Sequence, residues 1–309
     1  MKIRLGLAVV AVAAFAAQAS AMTDSELRAL LEQRFAGDRT GACVAAAVVE
    51  QGRTSTAYVC ADPKTARPFD GRTAYEIGSV TKTMTAALLA DLILKGEVSL
   101  DDPLAKLLPA GTKVATFNGE PILLKHVVTH TSGLPALPPR MTITDMRNPY
   151  ARITEQELLQ SLAEAKLASK PGTKFAYSNF AMMVLSYALA KRSGKDFETL
   201  MREKLFTPLG MKDAYIAKPP VGVRAAQGHM STGAPTSAWD MPVDMAGVGG
   251  VRATLPDMIA YVRAQLQPGN DATGRAIALT QNQVIEVPGA RVGMNWLLGT
   301  AGGRGTLQH

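Results

Sequence analysis

The sequence predicts an α+β protein in which strands near the N-terminal end precede a long run of helices. Two β-rich segments, 42–49 and 54–60, flank a Gln51-Gly52 turn and read as a hairpin. Helix-start signals recur after it: Thr154 with Glu157, Asp196, and Thr254 with Asp257 each precede an apolar-periodic run. A composition of 47% hydrophobic and 19% charged residues over 309 positions suits a chain that buries a full core and can divide into two lobes.

Taken in order, Lys2 and Arg4, the apolar run 5–17 and Ala19-Ser20-Ala21 read as a secretory leader, 1–21, whose apolar run is too short to span a bilayer. Residues 22–309 then follow with no further membrane span. Loss of Lys2 and Arg4 lowers the formal charge from +7 to +5. Those charges are scattered, which gives a nucleic-acid partner no support and is compatible with small anionic substrates. Thr23 and Glu26 form a capping box for a helix over 24–35. In the hairpin, a register that pairs Glu50 with Arg53 sets Cys43 opposite Cys60 at a non-hydrogen-bonded site, where strands approach closely, so the only two cysteines are expected to form a disulfide.

A loop over 62–73 leads through Tyr75-Glu76-Ile77 into a helix over 78–96, and S-L-D-D-P then begins a turn and short helix ending at Pro109. The periodic segment 121–129 ends in His130-Thr131-Ser132-Gly133-Leu134-Pro135. His126 and His130 have the spacing of half a zinc site. With no glutamate between them and no third ligand nearby, they read as side chains tying a helix end to the following turn. No metal and no cofactor is implied. Further helices are expected over 154–166, from Phe180 to a stop at Gly194, from Asp196 to Leu205 with Pro208 and Gly210 ending it, and over 254–266. The intervening 138–150 and 219–244 read as loops, and the glycines of 246–250 as close backbone packing rather than a phosphate cradle.

Chemistry gathers at Ser79 and Lys82. Residues three apart on a helix share a face, so hydroxyl and amine can meet. Ser79 at the helix start lies where unpaired N–H groups and the dipole favour negative charge. Met84, Ala86, Ala87, Leu88, Leu89, Leu92, Ile93 and Leu94 leave little polar face, which marks a buried helix. A desolvated Lys82 loses its proton more easily and can take one from the serine. By itself the S-x-x-K spacing recurs by chance, and an N-capping serine beside a solvated lysine describes it equally well. Tyr177-Ser178-Asn179 is the second constellation, in a loop at a helix start. A phenol has an ordinary pKa of about 10, and a nearby ammonium favours its phenolate, so Lys82 and Tyr177 could share a proton near neutrality. Asn179 could bond Lys82 and hold a substrate amide. A packed aromatic followed by a helix cap is the alternative.

Together these stretches resemble the class C β-lactamases and the penicillin-recognising serine hydrolases related to them. The likeness is carried by E-I-G-S-V-T-K-T-M-T-A, S-L-D-D-P, H-T-S-G-L-P, P-G-x-x-F-x-Y-S-N, T-P-L-G-M-K-D-A, A-G-V-G-G-V-R-A-T-L-P-D-M and G-M-N-W, in that order. It implies an antiparallel sheet flanked by helices plus a helical lobe, with the serine at their junction. The corresponding division is a sheet lobe of 22–82 and 290–309 against a mainly helical 83–289. The resemblance also implies Ser79 as acylated nucleophile, Lys82 as its base and Tyr177 as proton carrier, with a β-lactam as favoured substrate and a D-alanyl-D-alanine peptide or an ester as competitors. A non-hydrolytic penicillin-binding protein is the reading from another class. Class A enzymes carry S-D-N where Y-S-N stands here, and neither a G-x-S-x-G elbow nor the ligand set of a zinc β-lactamase occurs.

The family's third motif is K-T-G or H-x-G on a strand lining the cleft. His309 stands where the first residue of H-x-G is expected, so the resemblance implies a substrate-binding role for it and a chain that stops inside that strand. The strands and oxyanion N–H beyond it would be missing. Loss of one oxyanion donor costs about 10²–10³ in rate, so the 309-residue product is expected to fold poorly or lack activity.

Overall fold

Local signals set the first elements of the computed structural model, which describes residues 21–38, 41–50, 52–62, 69–230 and 232–309. The expected leader lies, apart from Ala21, outside the described residues. Thr23 and Glu26 cap each other's backbone at the start of α1, Asp24–Phe35. Strands β1 (Cys43–Glu50) and β2 (Arg53–Cys60) pair antiparallel with Glu50 opposite Arg53 and Cys43 opposite Cys60. The neighbouring Ala61 N–H donates to the Ala42 carbonyl, which makes the cysteine pair the closely spaced, non-hydrogen-bonded kind. Its Cα atoms are 4.0 Å apart and the sulfurs are bonded.

Val44, Ala46, Val48, Ala57 and Val59 share one face of the hairpin and pack with Leu27, Leu31 and Phe35 of α1. The bridge closes a loop with a sequence separation of 17. Replacing both cysteines by alanine is expected to lower unfolding free energy by roughly 3 kcal/mol. A denaturant midpoint unchanged between the oxidised protein and the double variant would contradict this.

An edge-to-face series Tyr58, Phe69, Tyr75 links β2 to β3, Thr73–Glu76. Gly78 then turns the chain with φ 53, in the left-handed region that favours glycine. A 3₁₀ turn, Gly78–Val80, runs straight into α2, Thr81–Leu94, so Ser79 lies one turn ahead of the α-helix proper. The chain continues through a 3₁₀ turn at Leu104–Lys106, the short hairpin β4 (Thr116–Phe117) and β5 (Glu120–Pro121), and α3, Leu124–Val128. Next come α4, Glu155–Glu164, with the capping box of Thr154 and Glu157, and α5, Asn179–Ser193, closed by left-handed Gly194.

The helix opened by Asp196 runs further than expected. Phe197–Met201 (α6) passes through a π-helical turn, Arg202–Phe206, into Thr207–Leu209 (α7) before Gly210 ends it. The widened turn accommodates Pro208, which has no N–H to donate to a preceding carbonyl. The region expected as loop holds three two-residue strands: β6 (Arg224–Ala225), β7 (Gly228–His229) and β8 (Pro235–Thr236). Then follow a 3₁₀ segment at Val243–Val248, β9 (Arg252–Thr254), α8 (Leu255–Leu266) and α9 (Ala272–Thr280). Helix α9 is not among those the sequence predicts. The last strands are β10 (Ile285–Val287), β11 (Ala290–Val292), β12 (Leu297–Ala301) and β13 (Arg304–Gln308).

Strands β10 to β13 form an antiparallel meander, and β3 is central between parallel β6 and antiparallel β9. The core is helical. Helices α2 and α5 are buried on nearly every face, α2 over Thr81–Ala90 and α5 over Phe180–Ala190. The 3₁₀ segment lies so tightly between them that a Cβ at Gly247 would stand 2.4 Å from Ser186 Cβ and 2.7 Å from Thr85 Oγ1. Close backbone packing therefore explains that glycine, as the sequence implied.

Candidate active site

The geometry starts from the i, i+3 spacing of Ser79 and Lys82. Lys82 Nζ donates to Ser79 Oγ at 3.0 Å and to the Val248 carbonyl at 2.6 Å, and the side chain is fully buried. Burial lowers the Lys82 pKa from 10.5 to about 7. The glycine-rich segment is fastened to the same turn: Ile77 N–H donates to the Val251 carbonyl, Val251 N–H to Thr81 Oγ1, and Thr85 Oγ1 to the Gly247 carbonyl. The carbonyl that receives the lysine is thus held in place by the backbone around the serine.

Tyr177 reaches the same hydroxyl from far along the chain. Its OH donates to Ser79 Oγ at 2.7 Å, and its ring centroid lies 4.8 Å from Lys82 Nζ. Burial raises the phenol above its usual pKa, against the hydrogen bond to Ser79. The proton shared between lysine and tyrosine therefore rests on the phenol, and the amine is the group that titrates near neutrality. Two donors converge on one hydroxyl at the mouth of a buried helix, whose first N–H groups have no intrahelical partner.

Asn179 does not make the bond to Lys82 envisaged from the sequence. Its Nδ2 donates to Tyr150 OH at 3.0 Å, while the lysine's bonds run to Ser79 and Val248. Tyr150 packs against the half-exposed Trp239 with ring centroids 5.4 Å apart. The Trp239 backbone is held between Glu76, which accepts its N–H, and Arg252, which donates to its carbonyl. His309 enters the same neighbourhood: its Nδ1 lies 2.7 Å from the Asn295 carbonyl and its ring 6.1 Å from that of Tyr177. Burial lowers its pKa, opposed by hydrogen bonds to the backbone of Asn295 and Ser79.

His126 and His130 each accept a backbone N–H at Nδ1, from Leu123 and Ser178 respectively. The first bond caps α3. The second fastens the Tyr177 loop, and the His130 ring lies against Tyr177 with centroids 4.4 Å apart. Val248 and Asn295 stand inside stretches that carry the resemblance, but no role was assigned to them, and nothing local marks Tyr150 or Trp239.

A serine, a buried amine and a phenol in one hydrogen-bonded set fit the match of the beta-lactamase family model to residues 27–309. This chain belongs to the beta-lactamase family. Its relatives within that family carry several activities in their names. It is 37% identical over 190 residues to the D-alanyl-D-alanine-carboxypeptidase/endopeptidase AmpH of Escherichia coli (strain K12), covering 62% of this chain and 48% of AmpH. It is 29% identical over 281 residues to a beta-lactamase of Pseudomonas fluorescens, covering 89% of this chain and 73% of that one. It is 30% identical over 212 residues to the esterase EstB of Burkholderia gladioli, covering 65% of this chain and 51% of EstB. The matches thus span about half the length of AmpH and EstB. Among the described residues no helix is long and apolar enough to cross a membrane.

Proposed function

We propose that this β-lactamase-family protein is an exported serine acyl-hydrolase of class C type, working through an acyl-enzyme on Ser79, with a β-lactam as its favoured substrate. The single observation that carries the reading is Ser79 Oγ receiving hydrogen bonds from both Lys82 and Tyr177. The leader-like 1–21 supports export. On this reading a sheet-bearing part, 22–82 with 290–309, would meet a mainly helical 83–289 at the site. Neutral Lys82 takes the Ser79 proton as Oγ attacks the acyl carbon, and the developing oxyanion would need a backbone N–H such as that of Ser79. Tyr177 gives its proton to the leaving nitrogen as the C–N bond breaks, and the Lys82 ammonium returns one to the phenolate. Water then attacks the ester and loses its proton to the same pair, which frees the acid and restores Ser79. Asn179 and His309 border the acyl group as substrate-binding side chains.

A D-alanyl-D-alanine peptide is the second reading, favoured by the 37% identity to the carboxypeptidase/endopeptidase AmpH. Both substrates share an acyl carbon bonded to nitrogen, so one nucleophile serves either. Steady-state and burst kinetics on nitrocefin, a diacyl-D-alanyl-D-alanine peptide and p-nitrophenyl acetate decide between them. Rapid nitrocefin turnover would support the β-lactam reading, whereas a purified chain that reacts with none of the three would bear out the inactive product expected from the sequence. Release of D-alanine with a long-lived β-lactam adduct would make it a peptidase, and an adduct without turnover of any of the three would make it a penicillin-binding protein.

A further inference from the structure

Tyr177 stands on a loop, yet its hydroxyl must meet Ser79 Oγ within a few tenths of an ångström. The residues that hold it converge on His130. The backbone of His130 adopts φ 55, a left-handed conformation that asparagine, aspartate and histidine reach more readily than most non-glycine residues. That turn aims the carbonyl and the ring of one residue at the same loop. The carbonyl accepts the Ala176 N–H at 2.7 Å and Nδ1 accepts the Ser178 N–H at 3.2 Å, so the amides on both sides of Tyr177 are tied to His130. The imidazole also lies under the phenol ring, 4.4 Å between centroids and inclined by 33°.

An Nδ1 that accepts leaves the ring proton of a neutral histidine on Nε2. That nitrogen and the Asn295 side-chain oxygen are both buried, and neither has a hydrogen-bond partner among the described residues. Asn295 also presents its carbonyl to His309. Burial and the nearby Lys82 and His309 lower the His130 pKa to about 3, while the Asn295 side chain opposes the fall. The ring therefore remains an acceptor throughout the range in which Lys82 titrates.

We propose that His130 is the positioning residue for Tyr177, holding the phenol over Ser79 through two backbone hydrogen bonds and ring contact without itself touching substrate. It acts on proton transfer to the leaving group rather than on substrate affinity. This rests on the acyl-enzyme reading above.

The test compares His130→Ala, His130→Asn, Tyr177→Phe and the double variant His130→Ala/Tyr177→Phe in the purified protein, with nitrocefin as probe. The measurements are the acylation rate at saturation, KM and thermal midpoint. Asparagine tolerates the left-handed backbone, and its Oδ1 can stand where Nδ1 accepts the Ser178 N–H. His130→Ala is expected to slow acylation about 10²-fold with KM changed little, because a misplaced proton donor costs rate rather than binding. His130→Asn should recover most of that loss. The double variant should be no slower than Tyr177→Phe alone, since a phenol already absent cannot be misplaced. Additive losses, or wild-type acylation in His130→Ala, would overturn the proposal. If His130→Ala does not fold, a folded His130→Asn as slow as Tyr177→Phe would overturn it equally. A protein that takes no covalent label at all would sink the acyl-enzyme reading instead, whereas rapid labelling indifferent to position 130 sinks only this one.

Discussion

Exchange of Ser79 for alanine is expected to abolish covalent labelling by a β-lactam and to lower turnover by about 10⁴–10⁶, the loss typical when a serine nucleophile is removed. Its hydroxyl is where the bonds from Lys82 and Tyr177 meet, so nothing else at the site is placed to replace it. The fold should survive. The deleted atom is small, and Lys82 keeps the Val248 carbonyl as a partner. Intact-mass spectrometry after penicillin treatment, followed by peptide mapping, checks this. An adduct on another residue, or one that persists in Ser79→Ala, would assign the chemistry elsewhere.

Lys82→Met should separate catalysis from stability. Removal of a general base costs about 10²–10⁴ in rate. In the unaltered protein the acylation rate should rise with pH through about 7, as the amine loses its proton, and that limb should vanish in the variant. The neighbouring Tyr177 phenol is raised and the His130 ring is lowered to about 3, so neither competes for the limb.

The same substitution that lowers the rate should raise stability. The amine binds its proton with a pKa near 7 in the fold against 10.5 when exposed, so between those values the unfolded chain holds more protons. The wild type therefore loses stability as pH falls from about 10.5 towards 7, on the order of a few kcal/mol, and the loss levels off below 7. Methionine fills similar volume and carries no proton, so it removes that slope and should raise the thermal midpoint at neutral pH. Parallel pH slopes for the two proteins, or a lower midpoint for the variant, would show that the buried lysine is not held in its neutral form.

Several elements were legible because their causes lie within a few residues. The boxes Thr23–Glu26, Thr154–Glu157 and Thr254–Asp257 each cap the helix they announce. The turn at Gly52 sets a register that carries Cys43 to Cys60 without help from the rest of the chain. Helix α7, which runs through Pro208, and helix α9 were not legible. A π-helical turn compensates the proline in the first, and the apolar side of the second is defined by the α2 surface it covers. The envisaged bond from Asn179 to Lys82 gave way to one with Tyr150, because the Val248 carbonyl already receives the lysine.

By itself the sequence determined that Ser79 and Lys82 share the start of a buried helix, since three residues of spacing and an apolar run are sufficient causes. The tertiary structure alone decided what those groups become. Tyr177 reaches Ser79 across 98 residues, Val248 meets Lys82 across 166, and His130 holds Ser178 across 48. The amine's acidity is likewise a property of the assembled core, because desolvation depends on every element packed around it and on none of them singly.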